Sequence, residues 1–182
     1  MQTILGANGQ IGEELARELK RNFTSDIRIV SRKPSKINGT DEVFPADLSI
    51  REEAIEAVRG SETAYFTLGL PISSALWEQQ FPLILRNVID ACKINGTKLV
   101  FFDNTYMYPQ DGHVLTEETV FDPVGRKGAV RREMAEMVLK EMQSGGLEAV
   151  ICRAPEFYGP GKTQSITNTL VFNNIKEGKR LK

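Results

Sequence analysis

The sequence has few of the residues that build metal centres and disulfide frameworks. Among its 182 residues are two cysteines and one histidine. Cys92 and Cys152 lie in apolar segments, where a thiol behaves as a small buried hydrophobe. His113 follows Asp111 and Gly112 in a turn, so we interpret it as a surface residue rather than a catalytic base. No group of histidine, cysteine and carboxylate residues has metal-ligand spacing, and the sequence therefore predicts no metal site.

An excess of charge and long apolar runs are also missing. The 23 basic and 24 acidic residues leave a net charge of −1, which excludes a strongly basic surface for nucleic acid or anionic membrane. No apolar run approaches the roughly 20 residues that cross a bilayer, and the first strand begins too early to leave room for a signal peptide. We therefore expect a cytoplasmic protein with neither nucleic-acid nor membrane partners. The 41% hydrophobic and 26% charged content is typical of one soluble globular domain.

The beginning of the chain carries the strongest local pattern. A short apolar run ends at three glycines in the spacing Gly-x-x-Gly-x-x-Gly: Gly6, Gly9 and Gly12. A helix is predicted next by apolar residues at four-residue steps: Ile11, Leu15 and Leu19. A glycine turn before a helix N-terminus attracts anions, because unpaired N–H groups and the helix dipole meet there. An ordinary turn is the alternative, but the strand before it and the helix after it favour a pyrophosphate site. In such a site Gly9 admits the ligand and Gly12 lets the helix lie close to the strand.

Strands and helices alternate along the rest of the chain. Further strands are predicted at residues 26–30, 42–46, 63–68, 98–102 and 147–152. One helix is expected to begin with a capping box formed by Ser49 and Glu52, and others cover 74–94 and 130–143. Pro82 predicts a kink or a new start in the second of these helices. Because the strands are almost continuously apolar, the fold class is α/β, a doubly wound parallel sheet covered on both faces.

The end of the second predicted strand bears on the choice of cofactor. About 20 residues after the glycines, a carboxylate would bind the ribose 2′-hydroxyl of NAD, whereas an arginine suits the 2′-phosphate of NADP. The sequence here has Ser31, Arg32 and Lys33 and no carboxylate. Arg32 offers a fork of donors, and Lys33 adds a point charge. A solvated basic turn is the alternative; if the nucleotide site is real, NADP is preferred over NAD.

These residues resemble the motifs of the extended short-chain dehydrogenase/reductases, the NAD(P)-dependent epimerase/dehydratase family. The first motif is the glycine segment of Gly6, Ala7, Asn8, Gly9, Gln10, Ile11 and Gly12. Asp47 and Leu48 resemble the step whose carboxylate holds the adenine amino group. Thr67, Leu68 and Gly69 lie where the family's fourth strand passes the cofactor. Arg153 and Tyr158 belong to a segment that resembles the family's Arg-Pro…Tyr-Gly-Pro-Gly, which borders the nicotinamide and the substrate.

The resemblance implies a Rossmann fold over residues 1–182, with a substrate-binding part beginning after about residue 155. The expected substrate is a sugar nucleotide or another small carbonyl or alcohol. Because the first strand is short and no closing element follows residue 177, we expect part of the substrate-binding region to be absent from this chain. The oligomeric state stays open, with a homodimer as one candidate because the helices that cover the sheet often pair in relatives.

The catalytic part departs from the family pattern. Family members carry Ser or Thr after the fifth strand and then Tyr-x-x-x-Lys, in which the lysine and the cofactor lower the pKa of the catalytic tyrosine. The Ser position falls nearest Asn104, with Thr105 one step away. No tyrosine occurs between Tyr108 and Tyr158, so the Tyr-x-x-x-Lys pair is absent.

Other residues could replace the missing pair. Tyr106 and Tyr108 follow a central strand at the edge where open α/β sheets bind ligands, and on an extended chain they would face the same side. Lys127, or alternatively Arg131 or Arg132, could supply positive charge. In the alternative interpretation Tyr108 packs under its loop and the basic run is a solvated helix start. Two functions follow: an enzyme that exchanges hydride with its cofactor, or a catalytically inactive module that senses NADP(H) or binds a partner.

Overall fold

A computed structural model describes residues 1–157 and 165–180, and within them six strands form one parallel sheet. The strands are β1 (Gln2–Leu5), β2 (Ile27–Ser31), β3 (Glu42–Pro45), β4 (Thr63–Phe66), β5 (Lys98–Asp103) and β6 (Ala149–Arg153). Their order across the sheet is β3-β2-β1-β4-β5-β6. This order is that of the doubly wound dinucleotide-binding folds, so the predicted fold class is confirmed.

Helices cover both faces of the sheet. They are α1 (Gln10–Asn22), α2 (Arg51–Val58), α3 (Ser74–Asn95) and α4 (Gly125–Gln143), followed by a π-helix over Asn168–Phe172 that continues into α5 (Asn173–Lys176). Helix α1 packs on one face against Ile4 and Ile29, both fully buried. Helices α2, α3 and α4 share a larger core on the opposite face with Leu5, Val30 and Phe66. Consecutive strand residues such as Ile4 and Leu5 belong to different cores because neighbouring side chains of a strand point to opposite faces of the sheet.

The predicted capping box before α2 is wrong. Helix α2 begins at Arg51, and no side chain caps it within the described part of the chain. Ser49 instead donates its hydroxyl and its backbone N–H to Asp47 Oδ1, at 2.7 and 3.0 Å. Glu53, not Glu52, reaches back to the backbone N–H of Asp47 at 2.7 Å. An aspartate bonds readily to the backbone two residues on, and that local turn has replaced the serine cap.

Two further helix predictions, the break in α3 and the start of α4, also need correction. Helix α3 runs continuously through Pro82, so a new start there is wrong. The buried Phe81 and Leu85 on either side of the proline anchor the helix in the core. Helix α4 begins five residues before the predicted 130. None of the helices in the described residues is long and apolar enough to span a membrane.

Candidate functional site

The glycine turn lies at the point where the strand order reverses, between the carboxyl ends of β1 and β4. Gly6 has φ +87°, and a Cβ there would lie 2.6 Å from the Cα of Leu68. Thr67 binds the carbonyl oxygen of Leu5 through both its backbone N–H, at 2.9 Å, and its hydroxyl, at 3.1 Å. The segment after β4 is therefore fixed directly against the turn, in the crevice where open α/β sheets bind their ligands.

Gly12 allows close packing of α1 against the turn, and Gly9 leaves open space at the start of the helix. A Cβ at Gly12 would lie 2.6 Å from the Cα of Ala7, so the close contact between α1 and the turn requires glycine. A Cβ at Gly9 would meet only the Gly6 carbonyl oxygen, at an ordinary 3.5 Å, so the space over this residue is open. Gly9 is the N-cap of α1, and no side chain among the described residues caps this helix. An open helix N-terminus of this kind fits a diphosphate.

The basic turn after β2 is bound to the glycine turn through Asn8. The Asn8 amide donates to the carbonyl oxygen of Lys33 at 2.8 Å and accepts from the Ser31 hydroxyl at 3.2 Å. The side chains of Arg32 and Lys33 are exposed. The pKa of Asp47 is lowered mainly by the hydrogen bonds from Ser49 and to a smaller extent by the charge of Arg32. The structure thus brings the predicted 2′-phosphate and adenine residues to one side of the turn.

A cleft of about 180 Å³ lies between the ends of β4 and β5. Its lining includes Thr67, Leu68 and Gly69 after β4, Asp103 and Asn104 at the end of β5, and Arg131 of α4. Ile11, in the first turn of α1, also contributes to the lining. The cleft therefore joins four of the predicted cofactor residues to Asn104, the residue nearest the family's serine.

Asp103 is the centre of a buried charge cluster beside this cleft. Its side chain is fully buried, with Arg131 Nη1 3.4 Å from Oδ1 and Arg153 Nε 3.8 Å from Oδ2. Burial raises the pKa of Asp103 to about 6, against the opposing effect of the two arginines and a hydrogen bond from the Asn104 backbone N–H. Burial also lowers the pKa of Arg131. Among the described residues, Asp103 Oδ2, Arg131 Nε and two nitrogens of Arg153 have no hydrogen-bond partner.

The two candidate tyrosines do not face the same side, so that prediction is wrong. The chain turns directly after β5, with the Tyr108 N–H donating to the carbonyl oxygen of Thr105 at 3.2 Å. The Tyr106 ring stacks on Trp77 with centroids 6.4 Å apart. Tyr108 is buried elsewhere, and its hydroxyl accepts a hydrogen bond from Arg153 Nη1 at 3.0 Å. Side chains alternate only on an extended chain, and the turn removes that condition.

Two basic side chains from the N-terminal half of α4 contact Trp77. The ammonium of Lys127 lies 5.3 Å from the centre of a Trp77 ring, and the guanidinium of Arg131 lies 5.1 Å from it. Both distances are within the range of cation–π attraction. Arg132, the other candidate, is exposed and pairs with Glu136 on the same helix.

Sequence reasoning did not single out Asp103 or Trp77. A signal for Asp103 exists, because a carboxylate directly after an apolar parallel strand lies at the ligand edge of the sheet. Tyr158, the second predicted substrate residue, lies outside the described residues. His113 is exposed and pairs with Asp111, which raises the pKa of the imidazole. No group of three or more histidine, cysteine and carboxylate residues in the described ranges could hold a metal ion.

Known proteins share part of this sequence or its fold. One stretch of 72 residues is 40% identical to the uncharacterized protein y4nL of Sinorhizobium fredii (strain NBRC 101917 / NGR234), covering 39% of this chain and 20% of that protein. The fold is similar to UDP-N-acetylglucosamine 4-epimerase from Bacillus cereus, with TM-score 0.83, 16% identity and coverage of 99% of this chain and 62% of that one. It is also similar to UDP-glucose 4-epimerase from Thermus thermophilus, solved in complex with NAD, with TM-score 0.80, 18% identity and coverage of 98% and 64%.

The chain thus spans under two thirds of these proteins' length. The model of the NAD dependent epimerase/dehydratase family matches residues 3–182, which is almost the whole chain. The resemblance to this family that the sequence suggested is therefore confirmed. This protein belongs to the NAD-dependent epimerase/dehydratase family.

Proposed function

We propose that this chain binds NADP(H), in preference to NAD(H), across the crevice between β1 and β4. The observation that carries the proposal is the turn from Gly6 to Gly12, which leaves the N-terminus of α1 without a side-chain cap among the described residues. A Cβ would find open space at Gly9 but backbone atoms at 2.6 Å at Gly6 and Gly12. The loop is thus tight where it packs and open where a diphosphate would approach.

The chain's own side chains suggest how the rest of the dinucleotide would be held. Arg32 and Lys33, exposed beside the turn, would bind the 2′-phosphate, for which a forked guanidinium is well suited. Asp47 would accept from the adenine amino group. Thr67, Leu68 and Gly69 line the cleft and would lie along the nicotinamide half.

When bound, a nicotinamide supplies a carbon that accepts or donates hydride. The accompanying proton needs a residue of this chain, and Tyr106 is our first candidate. Its phenol is close enough to Arg131 to raise the pKa of that guanidinium, although burial lowers it more. Arg131 and Lys127 both contact Trp77, on which the Tyr106 ring stacks, so positive charge lies close to this tyrosine. Tyr108 is the second candidate, and its hydroxyl already accepts from Arg153.

Asn104 and Thr105 would support this arrangement rather than carry the proton. The Asn104 side-chain oxygen accepts from the Tyr106 N–H at 3.0 Å and so fixes the turn that positions Tyr106. Thr105 supplies the backbone carbonyl that closes the same turn. The proposed reaction is oxidation, reduction or epimerisation of a sugar nucleotide or another small carbonyl or alcohol, and Arg153 and Tyr158 would border that substrate. A cytoplasmic location and a homodimer stay predictions.

Calorimetry with NADP⁺, NADPH and NAD⁺ tests the binding, and NADPH absorbance with a panel of carbonyl substrates tests the chemistry. We expect heat with all three nucleotides and tighter binding of the two phosphorylated ones. If turnover is found, Tyr106→Phe should reduce it while leaving nucleotide affinity unchanged. Full turnover in both Tyr106→Phe and Tyr108→Phe would eliminate the tyrosine assignment. No heat with any of the nucleotides would overturn the proposed function as a whole.

A second function is favoured by the positions of the tyrosines. Neither Tyr106 nor Tyr108 belongs to the described lining of the cleft, and the Tyr-x-x-x-Lys pair is absent from the sequence. The alternative is a catalytically inactive module that senses NADP(H) or binds a partner. A difference in affinity between NADP⁺ and NADPH, without turnover of any substrate in the panel, would favour this alternative. Any hydride transfer would exclude it.

A further inference from the structure

The charge cluster beside the cleft contains more positive than negative charge. Arg131 and Arg153 face the single carboxylate of Asp103, at 3.4 and 3.8 Å. With all three groups ionised, the cluster carries a net charge of +1. Asp103 is fully buried, and 9% of the Arg131 side chain and 17% of the Arg153 side chain are exposed. An excess charge that has lost its water is costly unless a counterion pairs with it.

Several hydrogen-bond donors of the cluster also have no partner among the described residues. The Nε of Arg131 and the Nε and Nη2 of Arg153 are buried donors without a partner among the described residues. Asp103 does not satisfy them, because its Oδ1 is shared by Arg131 and the Asn104 N–H and its Oδ2 accepts no hydrogen bond. Unpaired buried donors of this kind cost free energy that an oxyanion could recover.

Arg131 is the member of the cluster through which a ligand could reach this charge. It lines the cleft, together with Asp103 and Asn104. Phe81 and Trp77 hold its guanidinium plane, with centroid distances of 4.3 and 5.1 Å. A fixed, planar guanidinium matches the two oxygens of a carboxylate. A monoanion also balances a charge of +1, whereas a phosphate monoester brings about −1.5 to −2 at neutral pH.

We propose that the cleft binds a carboxylate group of its substrate at Arg131, with Asp103 and Arg153 setting the local charge. The assignment rests on the proposed function in so far as this carboxylate belongs to the molecule that undergoes hydride exchange. It narrows the substrate class from small carbonyls and alcohols in general to acids. Asp103 is a positioning residue here, since it acts through the arginines.

The test follows the arginine Nε–H signals by NMR in the full chain without cofactor, during titration with sodium pyruvate. Methyl pyruvate, the neutral ester, and sodium chloride at equal ionic strength are the control ligands. We expect a saturable shift of the Arg131 Nε–H signal with pyruvate and none with either control. No saturable shift with pyruvate would overturn the proposal, as would an equal response to the ester. Tighter binding of inorganic phosphate at Arg131 would overturn the choice of carboxylate.

Calorimetry with pyruvate on three variants extends the test, because the variants are expected to lower, preserve and raise the affinity for pyruvate. Arg131→Met should lower pyruvate affinity at least about tenfold, the lower end for a charge-assisted hydrogen bond. Arg132→Met removes an exposed neighbouring arginine paired with Glu136, and its affinity should stay within about twofold. Asp103→Asn raises the cluster charge to +2 and should tighten binding by roughly threefold to tenfold. Weaker binding in Asp103→Asn, or unchanged binding in Arg131→Met, would overturn the proposal.

Pyruvate binding and nucleotide binding are measured separately in these experiments. Calorimetry with NADP⁺ on the same wild-type sample gives an independent result, because pyruvate is titrated without nucleotide. NADP⁺ binding without a pyruvate response would overturn the carboxylate site and leave the proposed function standing. A pyruvate response without NADP⁺ binding would overturn the proposed function, and with it the assignment of the carboxylate to a hydride-exchange substrate. If Arg131→Met does not fold, Asp103→Asn still tests the proposal, because pyruvate should bind this variant more tightly than the wild type and weaker binding would overturn the carboxylate site.

Discussion

In the glycine turn, we expect substitution of Gly12 to lower the stability of the fold and substitution of Gly9 to weaken ligand binding. A Cβ at Gly12 would lie 2.6 Å from the Cα of Ala7 and 3.0 Å from its carbonyl oxygen. Carbon atoms pack at about 3.5–4.0 Å, so Gly12→Ala must push α1 away from the turn by roughly 1 Å. Overpacking of this kind costs about 1–3 kcal/mol, and the higher helix propensity of alanine returns less than about 1 kcal/mol. The net expectation is a loss of about 1–2 kcal/mol in the free energy of unfolding.

Gly9→Ala is the matched control, because the same methyl group enters open space three residues earlier. Gly9 has φ −84° and ψ 160°, which alanine adopts without strain. Its Cβ would lie 3.5 Å from the Gly6 carbonyl oxygen, an ordinary contact. The free energy of unfolding should therefore fall by less than about 1 kcal/mol, the range of a changed N-cap residue.

The two variants are distinguished by urea denaturation followed by circular dichroism and by calorimetry with NADP⁺. Gly9→Ala should fold normally and bind NADP⁺ roughly fivefold to 100-fold more weakly, since the methyl group would overpack the proposed diphosphate position. Gly12→Ala should show its loss mainly in the denaturation midpoint. A Gly12→Ala variant as stable as the wild type, or a Gly9→Ala variant that binds NADP⁺ with unchanged affinity, would contradict these roles of the two glycines.

Three further predictions follow from single side chains. Arg32→Asp should weaken NADP⁺ binding by at least about 1.5 kcal/mol and spare NAD⁺ in calorimetry, because it removes a charge-assisted contact; unchanged discrimination would mean that the basic turn is only solvated surface. Asp103 has a raised pKa of about 6 in the folded state, so it contributes stability at low pH that is lost as the pH rises from about 4 to 7, by up to about 3 kcal/mol. Urea titrations across this range should show a smaller loss in Asp103→Asn, and equal slopes would contradict the assignment. Tyr108→Phe should lower the free energy of unfolding by about 1–2 kcal/mol, because it leaves Arg153 without its acceptor, whereas an unchanged denaturation midpoint would show that this bond adds nothing.

The sequence predicts the parts of this fold that depend on local chemistry. The turn from Gly6 to Gly12 is readable because glycine spacing, the preceding apolar run and the four-residue period of α1 all lie within the first two dozen residues or so. The apolar strands are readable because both faces of a parallel sheet are buried. The start of α4 is hidden, since Gly125 and Gly128 are poor helix formers. Gly128 is held by tertiary packing instead: a Cβ there would lie 2.6 Å from the Tyr106 carbonyl oxygen.

The charge cluster could not be predicted from the sequence in the same way. Asp103 and Arg131 are 28 residues apart and meet only because α4 packs beside the end of β5. The separation of Tyr106 from Tyr108 depends on a turn closed by the backbone hydrogen bond from Tyr108 to Thr105 and by the side chain of Asn104. Pairings between distant segments are set by packing, and packing is a property of the whole core.

The position of Trp77 gives this protein a built-in optical probe. It is the only tryptophan in the chain, the residue is 8% exposed, and it contacts Arg131 and stacks on Tyr106. Its fluorescence emission therefore arises from one known place, one side chain away from the cleft. Reduced nicotinamide absorbs in the region where tryptophan emits, so a bound dihydronicotinamide would quench this emission by energy transfer. Binding could then be timed in a stopped-flow instrument without attaching any label.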